Sequence, residues 1–122
     1  MAASLFGSSA VSALGYLTKD SQAAVKDLQV TTTPAFVKSI RFANQSASIR
    51  YLQLHNSAST PADTAIPYVL PLTINPGEVI EWTPPQPMLF FTAIYACSST
   101  TQNTKTLTGT ADMWIEADYV GA

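Results

Sequence analysis

The sequence predicts an all-β protein: an antiparallel sandwich preceded by an N-terminal arm. Three observations predict it. After Pro34 the chain breaks into short apolar runs of period two, separated by clusters of Ser, Thr, Asn, Pro and Gly. All eight prolines lie at or beyond position 34, most of them between those runs. The last run, 111–119, alternates cleanly, with Ala111, Met113, Ile115, Ala117 and Tyr119 on one face and Asp112, Trp114, Glu116 and Asp118 on the other.

The elements follow in order. Residues 1–17 are rich in small side chains and follow neither a strand nor a helix period, with Leu5, Phe6, Val11, Leu14, Tyr16 and Leu17 as anchors. Residues 19–27 permit a short helix, and an extended path suits them equally. The arm is assigned to 1–34, extended or partly helical, and the sandwich domain to 35–122. In 36–42, Phe36, Ile40 and Phe42 alternate with Val37, Ser39 and Arg41. A polar turn at 44–48 leads to a strand at 49–56, with Leu52 and Leu54 opposite Tyr51, Gln53 and His55. A Ser/Thr/Pro/Asp loop follows at 57–64. The run 66–74 contains Pro67 and Pro71, which confine it to an edge or broken strand. Asn75-Pro76-Gly77 has the order of a type II turn, so 72–82 reads as a hairpin. Pro84, Pro85 and Pro87 force an extended connection. The nearly continuous apolar run 89–97 reads as one strand buried on both faces. A polar loop, 98–106, precedes the last strand. The series suits a jelly-roll or immunoglobulin-like sandwich, although alternation is the same in a barrel. A domain this small buries only about 60–65% of its unfolded surface, which favours oligomerisation.

Composition bounds the function. Only 11% of the residues are charged, against roughly 25% in ordinary globular proteins. A surface built of Ser, Thr, Asn, Gln and Ala repels neighbours weakly and suits contact with other proteins. The net charge is −2, and Lys19, Lys26, Lys38, Arg41, Arg50 and Lys105 are scattered, so nucleic acid is not an expected partner. The single cysteine, Cys97, forms no intrachain disulfide, which fits folding in a reducing cytoplasm. The apolar stretch at 1–17 lacks a basic flank and is interrupted by Ser and Gly. It is read as neither a targeting signal nor a membrane span.

No motif states a chemistry, and the expected catalytic, cofactor and metal sites are none. His55 is the only histidine. It sits near Ser57 without a G-x-S-x-G elbow, so a polar surface or interface role is expected. One Cys and one His are too few for zinc. Asp112, Glu116 and Asp118 share a face, but a spacing of two residues sets neighbours roughly 6.5–7 Å apart along the strand. A hydrated face, or pairing with Lys38, Arg41 and Arg50, is the expected arrangement. Cys97 reads as a core residue. Trp82 reads as packing on the proline connector. Trp114 points outward among carboxylates, as an interface anchor, a sugar-stacking platform or part of a small second core.

Five segments together resemble small all-β structural proteins of tailed bacteriophages. They are Ile49-Arg50-Tyr51-Leu52-Gln53-Leu54-His55-Asn56, Pro61-Ala62-Asp63, Asn75-Pro76-Gly77-Glu78, Ile94-Tyr95-Ala96-Cys97-Ser98-Ser99-Thr100 and Ala111-Asp112-Met113-Trp114-Ile115. The resemblance spans roughly 36–119 and leaves out the arm. It implies a virion structural protein made in the host cytoplasm, most like a head decoration (cement) protein seated on the capsid surface. The implied partners are the major capsid protein and copies of itself, as a homotrimer. No catalytic residue comes with it. Leu5, Phe6, Leu14, Tyr16, Leu17 and Trp114 are the expected interface residues, most of them on the arm. The alternative is a tail or fibre module that binds a host surface glycan through Trp114 and Tyr51.

Overall fold

The structure is a computed structural model, described here over residues 16–122. It contains nine strands: β1 (Leu17–Asp20), β2 (Asp27–Gln29), β3 (Ala35–Asn44), β4 (Arg50–Asn56), β5 (Val69–Ile74), β6 (Val79–Trp82), β7 (Met88–Phe90), β8 (Ile94–Ser99) and β9 (Met113–Gly121). They form two antiparallel sheets. One runs β1-β9-β3-β6, with β7 also paired to β3; the other runs β2-β8-β4-β5. No helix occurs among the described residues, so the helical option for 19–27 gives way to two short strands. Strand β1 joins one sheet and β2 the other, which ties 17–29 into both layers.

The core lies between the sheets. Val37, Ile40, Phe42, Met113, Ile115 and Ala117 come from the first sheet, and Leu28, Leu52, Leu54, Ile74, Ile94 and Ala96 from the second. Trp82 packs against this cluster from the edge strand β6. The predicted faces of β4 and β9 hold, because one face of each is spent on this shared layer.

Three expectations change. In β3 the register shifts between Val37 and Ser39, leaving Lys38 as an extra residue. The bulge reverses the alternation, so Val37 joins Ile40 and Phe42 in the core while Phe36 is only half-buried. The run 72–82 is not a hairpin. Strand β5 pairs with β4 and β6 with β3, so the turn crosses from one sheet to the other. The turn itself is as read: Glu78 N–H donates to the Asn75 carbonyl at 3.0 Å, and Gly77 has φ +74°. Finally, 89–97 is two strands. β7 lies in the first sheet and β8 in the second, and Phe91 and Thr92 stand exposed at the crossing. Only β8 is buried on both faces. Pro71 sits as expected, on the edge strand β5 beside a register shift, where its missing N–H costs no ladder bond.

The outward face of the first sheet carries an ion cluster. Arg41 and Glu116 are opposite each other in the ladder, with Asp118 one pleat along β9. Arg41 Nε donates to Glu116 Oε1 at 2.7 Å, and its two terminal nitrogens each reach Asp118 at 3.2 Å. Thr18 and Ser39 hydroxyls also donate to Asp118, at 2.8 and 3.1 Å. Glu116 is only 2% exposed. Burial opposes the charge on Asp118, but the hydrogen bonds from Arg41 and Thr18 outweigh it and lower its pKa. Asp118 therefore stabilises the fold at neutral pH, and its contribution is lost as pH falls through that lowered value.

Replacing Arg41 by Met leaves a buried carboxylate without its cation and lowers stability by about 3–5 kcal/mol at pH 7. Urea unfolding at pH 7 and pH 2 should show the deficit shrinking in acid, because the contribution of Asp118 is lost as pH falls through its lowered pKa. Gly77→Ala meets no atom within 4 Å of the new methyl, so its cost is backbone strain alone, about 1–2 kcal/mol in the same assay.

Candidate functional site

The second sheet buries polar residues on its outer face. Along β2-β8-β4, Asp27 lies opposite Cys97 and Cys97 opposite Gln53; in the next-but-one row Gln29, Tyr95 and His55 align. The residues between them, Leu28, Ala96 and Leu54, point to the core, so these rows point away from it. No helix of the described residues covers them. Two loops do, one spanning 57–68 and the other 100–112.

The loops are stitched to each other and to the sheet. Thr64 N–H donates to the Lys105 carbonyl, and Lys105 N–H to the Ala65 carbonyl, both at 2.7 Å. The Lys105 side chain is fully buried. Its ammonium donates to Asp27 Oδ2 at 3.1 Å and to the Pro61 carbonyl at 2.9 Å. Gln53 Nε2 donates to the carbonyls of Thr101, Gln102 and Thr104 at 2.9–3.1 Å. That orientation turns Gln53 Oε1 toward His55 Nε2, 3.0 Å away. An amide oxygen only accepts, so His55 Nε2 carries the proton.

At neutral pH burial holds the His55 imidazole uncharged and keeps the Cys97 thiol protonated. Burial, reinforced by the Lys105 charge and partly offset by Asp27, lowers the His55 pKa to about 4. Burial, with the Asp27 carboxylate nearby, pushes the Cys97 thiol well above its ordinary value. The Ser57 hydroxyl donates to the Ser59 carbonyl at 2.7 Å. Thus the imidazole N–H is spent on an amide, the thiol holds its proton, and the described contacts link no nucleophile to a base. Among the described residues no group of three His, Cys, Asp or Glu is placed to hold a metal ion.

Over this layer lies a shallow cleft of about 620 Å³, lined by His55, Asn56, Thr60, Pro61, Ile66 and Tyr68 among others. Its lining contains no Asp, Glu, Lys or Arg. One wall continues into an exposed apolar ridge: Ile66 is 79% exposed, Phe91 64%, Tyr68 46% and Leu89 40%. The ridge is held from beneath. The Tyr68 ring meets Phe90 edge-on at 4.9 Å and Phe91 at 5.9 Å between centroids. Its hydroxyl donates to the Leu89 carbonyl at 3.2 Å, and its N–H to the Leu54 carbonyl at 2.8 Å. Asn56 Oδ1 accepts from the Thr92 N–H at 2.7 Å and fixes the crossing that presents Phe91. Leu89 lies opposite Phe36, and Phe36 opposite Val120, so half-buried apolar surface extends from the ridge across the first sheet.

Of the interface residues expected from sequence, Leu5, Phe6 and Leu14 lie outside the described residues. Tyr16 and Leu17 lie together at the start of β1; the Lys38 ammonium sits 5.3 Å from the Tyr16 ring centroid, and Leu17 is 39% exposed. Trp114 is elsewhere. It lies opposite Ala43, near the far end of β3 from Phe36, is half-buried, and donates its indole N–H to Gln45 Oε1 at 2.8 Å. His55, expected at the surface, is instead 3% exposed beneath the 57–68 loop. The ridge was missed in the sequence. Its signals are Ile66-Pro67-Tyr68, where proline delays the strand, and Thr92 interrupting an otherwise apolar run.

Comparison with protein-family models, with curated proteins and with solved structures gives no match.

The buried imidazole makes a pH prediction. The folded chain refuses a proton that the unfolded chain binds below pH 6.5. Stability from neutral His55 is therefore present above that pH and is lost between pH 6.5 and about 4. The loss is on the order of 2–3 kcal/mol. His55→Gln keeps a donor for Gln53 Oε1 but does not titrate. Its stability-against-pH curve, from urea midpoints, should be flatter than that of the native chain over this interval.

Proposed function

We propose that this chain is a non-enzymatic structural protein of a phage virion, a head decoration or cement protein that binds and stabilises the capsid shell as a homotrimer. The observation that carries the reading is where the charge goes. Of 6 basic and 8 acidic residues, seven are taken into ion pairs: Arg41 with Glu116 and Asp118, Arg50 with Asp112, and Lys105 with Asp27. A surface already poor in charge is left poorer still, and it carries exposed apolar side chains. Such a surface tolerates close packing against other subunits, because few charges must be stripped of water. The all-β sandwich and the silent chemistry of the buried polar layer fit a rigid, non-catalytic body. The resemblance of the 36–119 segments to phage structural proteins supplies the setting.

In this reading the N-terminal arm and the sandwich both make contacts. An interface of ordinary size buries roughly 1,600 Å² in total, and binding only the assembled shell stabilises that shell by linkage. Because β1 and β2 belong to the two sheets, the cut that isolates the arm falls before Tyr16 rather than at Pro34. The chain beginning at Tyr16 should keep a melting temperature within a few degrees of the full chain. It should also lose stable attachment to undecorated shells in a sedimentation assay. Equally tight attachment by the shortened chain would defeat the role given to the arm.

The half-exposed ring of Trp114, on the outward face of the first sheet, favours one second reading, a tail or fibre module that stacks a host glycan. Glycan-array binding lost in Trp114→Ala would select it. A blank array together with firm shell binding would discard it.

A further inference from the structure

We infer that the ridge of Ile66, Tyr68, Leu89 and Phe91 is the receiving surface for the N-terminal segment, residues 1–15, of a neighbouring copy. This rests on the reading that the chain self-assembles, and it adds which surfaces meet.

Four observations carry it. The ridge side chains are 40–79% exposed in the single chain. They are nevertheless positioned by Tyr68's ring contacts, its two backbone bonds and the Asn56 clamp. Large apolar groups held rigidly in water mark a contact surface, since ordering them lowers the entropic cost of binding. These are the exposures of the chain by itself.

Chemistry selects the cover. Residues 1–15 contain no Asp, Glu, Lys or Arg, and include Leu5, Phe6, Val11 and Leu14 between small residues. The ridge and the cleft lining are likewise free of charged side chains. Joining the two desolvates no ion. A strongly charged partner segment would find no counter-charge there.

Placement agrees. The segment ends just before Tyr16, and β1 begins at Leu17. Leu17 lies opposite Tyr119, Tyr119 opposite Val37, and Val37 opposite Met88. One row of the first sheet thus runs from the exit of the segment to β7, about 14 Å across three strand spacings, and the ridge begins at the next residue, Leu89. Fifteen residues reach up to about 50 Å when extended. A copy placed beside the β6/β7 edge is within that reach. Passing each segment to the next copy is a head-to-tail contact, which closes on itself when the rotation is threefold.

The test uses the full chain. Two double variants, Leu5→Ser with Phe6→Ser and Ile66→Ser with Phe91→Ser, change opposite sides of the proposed contact. Ile66 and Phe91 lie outside the core, so the melting temperature of the ridge variant should stay near that of the native chain. Light scattering over a concentration series should show a native trimer and an assembly constant weakened about 100-fold or more in each double variant. In a third variant, Phe6→Cys with Phe91→Cys, oxidation should give interchain disulfides, seen as dimer and trimer bands on a non-reducing gel; the native Cys97 is buried. A monomeric native chain, trimers that persist in both double variants, or a cross-link confined within one chain would each overturn the inference. Shell binding, measured in parallel, separates this from the broader reading. A ridge variant that stays trimeric but leaves the shell overturns the arm contact while keeping the decoration role.

Discussion

The pairing of β3 with β9 is the constraint on which the first sheet depends. It joins Ala35–Asn44 to Met113–Gly121, two stretches far apart in the chain, and both flanks of the sheet are built on it. β1 attaches to the free side of β9, and β6 and β7 share the free side of β3. The same register decides the charges. With Arg41 opposite Glu116, a guanidinium lies where it can serve two carboxylates of one strand face. A slip of β9 by one residue would turn Glu116 and Asp118 toward the core, away from Arg41, and expel Ile115 from its place opposite Phe42. Register and ion cluster therefore enforce each other. The cluster adds specificity because the wrong pairing is so costly.

The second sheet meets a different difficulty. With no helix among the described residues, the outer face of each sheet would be left to water, yet β8 is buried on both sides. Two irregular loops act as the missing layer. Loops carry unsatisfied backbone groups, and buried ones need partners. Gln53 takes three loop carbonyls, and Lys105 reaches under to Pro61 and Asp27. The polar rows of β2, β8 and β4 are therefore the attachment points of a cover. The depressed His55 and the elevated Cys97 pKa values follow from that cover. Both titrations are displaced from neutrality chiefly because water has been removed.

These two solutions shape the surface. Ion pairs fold half of the charged side chains into the structure, and the crossing between β7 and β8 lifts Phe91 beside Tyr68. What remains outside is sparsely charged, hydroxyl-rich and locally apolar. A protein with this exterior gains little from long-range attraction and much from close contact. That balance suits a subunit added to a surface already assembled.

Strand faces that meet the shared core were legible from residue order alone. In β4 and β9 the period-two pattern names the buried side, because each strand spends one whole face on the same layer. The edge position of β5 was legible too, since proline lacks the N–H that a central strand needs. The type II turn at Asn75–Glu78 was equally so, as Gly77 accepts the positive φ there. Tertiary structure decided the rest. Whether that turn closes a hairpin or crosses between sheets depends on which neighbours β5 and β6 find, and a turn specifies direction without specifying partners. The bulge at Lys38 arises only against β9, so no local pattern in β3 announces it. The run 89–97 looks uniform in composition and is divided by the need to change sheets. The candidate surface was hidden for the same reason. Ile66, Tyr68, Leu89 and Phe91 are ordinary core-type residues in sequence. Ile66, Tyr68 and Phe91 face water because the loop and the crossing that carry them lie outside both layers, and Leu89 because it stands on the outward side of β7, so exposure is a property of that arrangement rather than of residue type.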